Sequence, residues 1–135
     1  MALRTRITED AANAQADAFG CLLDGGYITL YSGEQPESCD ESPNSPEIAV
    51  MHMSNPAFDA ANGGTITANA IAPAESADSD GDVSWFRAFS QDGHAVFDGS
   101  AGKYNCNLVL DDTRVRAGAK VSIKEFTYSV PWGKP

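Results

Sequence analysis

The sequence predicts an all-β domain: a jelly-roll or Greek-key β-sandwich of about seven or eight short strands, preceded by one N-terminal helix. Three observations lead there. Beyond Gly26 the chain breaks into short runs rich in aromatic and β-branched residues, each closed by Gly, Pro, Asn or Asp. Only one stretch, just before Gly25-Gly26, has helical spacing. The connections are long, which favours crossing strands over a simple meander. With 135 residues, one core is expected. The sandwich takes residues 27–135, and an arm with the helix takes residues 1–26.

The helix is expected from about Thr8 to Asp24, with Thr8 as N-cap and Glu9 and Asp10 in the dipole-favoured first turn. Its first half offers mainly alanines to a partner surface, so only the second half, with Phe19, Leu22 and Leu23, is expected to dock. Tyr27–Ser32 reads as the first strand, and Ser32–Pro46 as a long exposed acidic loop. Glu47–Met53 and Thr65–Ile71 are the next strands, with a short segment at Pro56–Phe58 between them, and Ala72–Asp82 is an acidic connection.

Val83–Ser90 and His94–Gly99 flank Asp92-Gly93, a favoured dipeptide for a two-residue hairpin turn. That register places Phe89 opposite Val96, Ala88 opposite Phe97, Arg87 opposite Asp98 and Phe86 opposite Gly99. One face then carries Phe86, Ala88, Ala95 and Phe97 into the core. The other carries Trp85, Phe89 and Val96 around an Arg87–Asp98 cross-strand ion pair. Leu108–Leu110 is a short strand and Asp111–Gly118 a turn-bearing connection. Val121–Val130 is the last strand, where a slip in apolar phase calls for a bulge near Lys124-Glu125.

Charge narrows the partners. The formal charge is −10, with 19 acidic and 9 basic side chains. From Ile7 to Ser100 there are 16 acids and one base, Arg87; from Ala101 onward there are six bases and three acids. Such a field repels phosphates and anionic lipids, so neither nucleic acid nor a membrane is an expected partner. The longest apolar run, Ile48–Met51, is four residues, against about 20 for a spanning helix. Met1–Arg6 is followed by no apolar stretch of signal-peptide length, so export by a standard signal is not expected.

The sequence carries no recognisable catalytic pattern, and no cofactor is expected. Ser100 has glycine one residue before it, where a nucleophile elbow needs glycine two residues to either side. His52 and His94 have no identifiable partner, and Cys106 has no helix start or basic cluster to lower its pKa. The three cysteines, Cys21, Cys39 and Cys106, fit neither a disulfide framework nor a zinc site and read as reduced thiols. Asp78, Asp80 and Asp82 begin like a calcium loop, but Val83 stands where that loop needs glycine and Phe89 where it needs glutamate. They remain a weak calcium candidate beside the plainer reading of a solvated acidic turn. The Trp85 face has three readings: a second buried face, a protein-binding patch, or a sugar-stacking platform.

Several stretches together resemble small virion proteins of tailed bacteriophages, of the capsid cement or decoration type with a jelly-roll-like sandwich. They are Tyr31-Ser32-Gly33-Glu34-Gln35-Pro36, Asn55–Gly64, Ser84-Trp85-Phe86-Arg87 with Phe97-Asp98-Gly99-Ser100, Ala117–Val121 and Tyr128-Ser129-Val130-Pro131. The Ser32–Pro46 loop and the Asp78–Asp82 turn depart from that pattern by being longer or more acidic. The resemblance implies a non-enzymatic protein of the virion surface, assembled in the host cytoplasm. It would bind the shell of major capsid protein as a dimer or trimer. The expected contact residues are Arg4, Arg6, Tyr31, Gln35, Trp85, Phe89, Lys124, Trp132 and Lys134. A head–tail connector or tail-completion protein, and a tail-associated glycan-binding module, are the competing expectations.

Overall fold

The computed structural model describes residues 6–104 and 106–130. Its elements run α1 (Glu9–Cys21), β1 (Tyr27–Tyr31), β2 (Ala49–His52), β3 (Thr65–Thr67), β4 (Gly81–Asp82), β5 (Trp85–Phe89), β6 (Ala95–Gly102), β7 (Leu108–Leu110), β8 (Arg114–Val115) and β9 (Ile123–Ser129). The described residues are therefore mostly β, with one helix. Seven strands form a sheet in the order β2-β1-β5-β6-β7-β9-β3, and β4 pairs with β8 in a separate ribbon. The neighbours are antiparallel except β6 and β7, which share two parallel residue pairs, Ala101↔Leu108 and Gly102↔Val109. Residues 103–107 join them, too few for a helical crossover, so the junction is a corner of the sheet.

The sheet is curled, with β2 and β3 at its two edges. β5 and β9 stand three places apart, which in a flat sheet separates them by about 14 Å. Yet the rings of Phe86 on β5 and Phe126 on β9 meet edge to face at 5.1 Å. The sheet therefore curls until its two arms face each other. Phe97 bridges them, 5.3 Å from Phe86 and 5.8 Å from Phe126. Ile28, Leu30, Ala88, Ile66, Leu108 and Leu110 complete this core. Among the described residues no helix is long and apolar enough to cross a membrane.

α1 begins where its cap predicts: Thr8 Oγ1 accepts from the Ala11 amide at 3.1 Å, with Glu9 and Asp10 in the first turn. It ends at Cys21, and Leu22–Asp24 form a turn into the diglycine. The expectation that its first half stays loose is corrected. Ala12 and Ala16 are fully buried, Asn13 Oδ1 accepts from Gly64 N, and Asp17 Oδ1 accepts from Ala61 N, both at 2.8 Å. Small side chains permit close approach, and two polar ones on the same face satisfy loop amides. Phe19 stacks on Tyr128 at 3.9 Å, so the helix shares the core of the sheet.

The β5–β6 register contains three of the expected pairs, Phe86↔Gly99, Arg87↔Asp98 and Ala88↔Phe97. The turn differs. Gly93 N donates to Ser90 O and Ser90 N to His94 O, both at 2.9 Å, which makes Gln91-Asp92-Gly93 a three-residue loop with Gly93 at φ +89°. The extra residue is absorbed by a bulge after Ala88, so Phe89 faces Ala95 and not Val96. Ala95 is exposed, not core. In β9 the bulge falls where the apolar phase slips: Val109 faces Glu125, Leu110 faces Ile123, and Lys124 is the unpaired residue. The third strand is shorter than expected, three residues followed by an Ala68–Phe58 bridge. β8 lies inside the Asp111–Gly118 connection, where two residues carry no periodicity to read.

Candidate functional site

β1 and β5 pair directly, with Thr29 opposite Arg87, Tyr31 opposite Trp85, and Tyr27 opposite Phe89. Strand alternation sends Ile28, Leu30, Phe86 and Ala88 into the core and these six residues to the other face. That other face is also covered, because Thr29, Tyr31, Trp85 and Arg87 are all buried. The cover is the Ser32–Pro46 loop. Trp85, only 1% exposed, stacks on Tyr31 at 4.4 Å and donates from Nε1 to Ser32 O at 3.2 Å. Ser84 Oγ donates to Gly33 O at 2.6 Å.

Arg87 fastens the middle of the loop. Its Nε donates to Asp98 Oδ1 at 2.7 Å and its Nη2 to Asp98 Oδ2 at 3.1 Å, a bidentate pair whose side chains are 5% and 4% exposed. Nη1 donates to Glu41 O at 2.6 Å and Nη2 also reaches Ser38 O at 3.3 Å. The guanidinium carbon lies 5.4 Å from the Trp85 ring centre. The Asp98 hydrogen bonds hold the Arg87 pKa above its ordinary value despite the opposing effect of burial. A guanidinium so occupied is a clamp: one end fixed on the sheet by Asp98, the other holding two loop carbonyls.

Two groups beside the clamp, Cys39 and Tyr31, have raised pKa values. Burial, then the Asp98 carboxylate, pushes the Cys39 thiol up, which disfavours the reactive thiolate. Burial, then Glu47, does the same to the Tyr31 hydroxyl. The Cys106 thiol is raised mainly by burial and donates to Leu108 O at 3.0 Å. All three cysteines are free thiols.

Glu47, beside the loop, is raised by burial and then by the neighbouring Asp78. A carboxyl raised in the folded state favours folding while protonated, and that contribution is lost as pH rises through its folded pKa. Glu47→Gln should therefore be more stable than the parent at pH 7, by a few tenths of a kcal/mol on the order expected for a solvent-screened site. Melts from pH 7 down to pH 3 should show the difference vanish at the acid end; an unchanged gap would exclude this origin.

Asp78, Asp80 and Asp82 face three different neighbours. Asp78 adjoins Glu47, Asp80 Oδ1 accepts from Ala117 N at 2.6 Å, and Asp82 in β4 stands opposite Arg114. Among the described residues, no three His, Cys, Asp or Glu side chains are grouped to hold a metal ion. The same contacts break up the basic end: the Arg114–Lys120 segment lies against the acidic turn, through Gly118 N to Ala77 O and Ala77 N to Ala119 O.

Of the expected contact residues, Tyr31 and Trp85 are buried and offer no open ring face. Phe89 is half-buried and stacks on Tyr27 at 4.8 Å. Gln35 on the loop, Lys124 on the β9 bulge and Arg6 ahead of α1 are exposed and stand apart along the chain. Arg4, Trp132 and Lys134 lie outside the described residues. The loop acceptors at Ser38 and Glu41 were not legible in advance, because they are backbone carbonyls, which every residue carries. The available signal was Arg87 itself, a lone base in an acidic stretch.

No family model matches this chain, and comparisons with curated proteins and with solved structures found no match.

Proposed function

We propose that this chain is a bacteriophage virion structural protein of the capsid cement or decoration type. It would bind the assembled shell of major capsid protein as a homo-oligomer, at the virion surface, after assembly in the host cytoplasm. On this reading the curled sheet is a jelly-roll-like sandwich modified at the β6–β7 corner. The observation that supports it best is the clamp: Arg87, Asp98 and Trp85 give an acidic loop, with Gln35 and Glu37 exposed, a fixed shape on the sheet. A preshaped surface loop loses little conformational freedom on docking, which suits a protein whose work is to add interface.

The mechanism is mass action. A domain that binds the closed shell and not free subunits stabilises the shell by its binding free energy. No catalytic step is invoked.

Quantitative mass spectrometry of purified particles, from the virus encoding this chain, tests the proposal. Copy numbers comparable to the shell subunit are expected. A single ring's worth of copies would favour the connector reading, and absence from particles would overturn the virion assignment. The glycan reading predicts sugar binding lost in Trp85→Ala. Because that indole is buried, the expected result is instead a loss of stability with no glycan binding in the parent protein.

A further inference from the structure

A groove of about 230 Å³ lies between the C-terminal half of α1 and residues 56–60. Gly20, Phe58 and Ile66 line its floor, and Asp17, Asp24 and Asp59 stand on its walls. It forms where the helix comes down closest to β3: a Cβ at Gly20 would lie 3.1 Å from Ile66 Cδ1 and 3.3 Å from Phe58 Cδ2. Small-molecule sites run from about 300 Å³ upward. This groove is sized for one long side chain.

Its electrostatics choose which. Asp17 Oδ1 accepts from Ala61 N at 2.8 Å and Asp24 Oδ1 from Ala57 N at 2.7 Å, so both carboxylates are held in place by backbone. Among the described residues the one ion pair is Arg87–Asp98, so no cation lies within 4.0 Å of these three acids. An apolar floor bordered by three carboxylates, two of them held by backbone amides and none paired with a cation among the described residues, is complementary to a lysine or arginine, whose methylene stem is apolar and whose head is charged.

We propose that this groove docks a lysine- or arginine-bearing segment of a partner protein. The stem lies on Phe58 and Ile66, and the head sits among Asp17, Asp24 and Asp59. The inference does not rest on the virion reading and survives its failure, because it depends only on the groove and its charge.

The probe is the peptide acetyl-Ala-Lys-Leu-Arg-Ala-amide, titrated at low salt into the full-length chain labelled for NMR, with its Glu-for-Lys-and-Arg counterpart as control. Amide shifts should concentrate at Gly20, Cys21, Phe58 and Ile66. The exposed Cys21 thiol on the groove should be protected from alkylation, followed by mass mapping. The Asp17→Asn, Asp59→Asn double variant keeps an oxygen for the Ala61 amide and should bind about fivefold more weakly. Shifts centred on Glu34–Glu41, equal binding of the acidic control, or undiminished affinity in the double variant would each overturn the proposal. Self-association of the free chain that the double variant abolishes would also overturn it, by assigning the groove to a second copy.

Discussion

Arg87→Ala should lower the unfolding free energy by about 3–5 kcal/mol, the range for removing one partner of a buried ion pair. Asp98, whose side chain is 4% exposed beside Arg87, would lose its cation, the Glu41 carbonyl would lose its side-chain donor, and the Ser38 carbonyl would keep only the Glu41 amide. At about 3–5 °C per kcal/mol for a chain of this size, the melting temperature should fall by roughly 10–20 °C. The loss should not stay on the sheet. Limited proteolysis should begin cutting within Ser32–Pro46, because the middle of that loop is tied down through Arg87.

The double variant Arg87→Ala, Asp98→Ala removes both charges and should be clearly more stable than the sum of the two single losses implies. Arg87→Lys keeps the charge but not the fork that spans Asp98 and two carbonyls, so it should rescue little. Equal, small and additive losses would mean that the pair does not hold the loop.

Gly26→Ala should be the second most damaging single change. A Cβ there would lie 2.1 Å from the Phe89 carbonyl oxygen and 3.1 Å from that of Leu23. Both obstacles are backbone. The strand beyond is held in register, Tyr27 against Phe89 and against His52, and Gly26 O accepts from Met53 N at 2.9 Å. Relief requires β1 to move off β5, at a cost of about 3 kcal/mol or more, the upper end for overpacking.

Its neighbour is the control. Gly25 has φ +70° but only the Gln91 side chain near its Cβ position, at 3.5 Å. Gly25→Ala should cost about 1–2 kcal/mol, the left-handed penalty alone. Denaturant melts of the two variants should show Gly26→Ala the worse; the reverse order would place the constraint in conformation and not in space.

The diglycine illustrates how far the sequence could be read. Two glycines after a helical stretch mark a stop, and the helix does end before them. That the second glycine is needed for close approach to β5 depends on a strand about sixty residues further along the chain, and local pattern carries no trace of it. The hairpin is similar. Asp-Gly located the turn, and alternation paired Arg87 with Asp98, yet one extra loop residue moved Ala95 from the expected core to the surface. A single-residue slip reverses every side chain beyond it until a bulge corrects the phase. The bulge at Lys124 was legible for the same reason: the apolar parity changes there on one strand, without reference to any partner.

Charge was the least transferable reading. Along the chain, acids dominate to Ser100 and bases thereafter. In space Asp80 and Asp82 lie against Ala117 and Arg114, so the basic segment is interleaved with acids.

The sequence by itself determined the β character, the single capped helix, the positions of most strands, and the opposition of Arg87 to Asp98. These are local or one-hairpin properties, set by residue periodicity and turn chemistry. Only the tertiary structure decided that the Trp85 face is covered by the chain's own acidic loop, that the sheet curls until Phe86 meets Phe126, and that three carboxylates surround an apolar groove under α1. Each joins segments distant in sequence, partly through backbone carbonyls and bare Cα positions that look alike in every residue, and such contacts exist only once the chain has closed on itself.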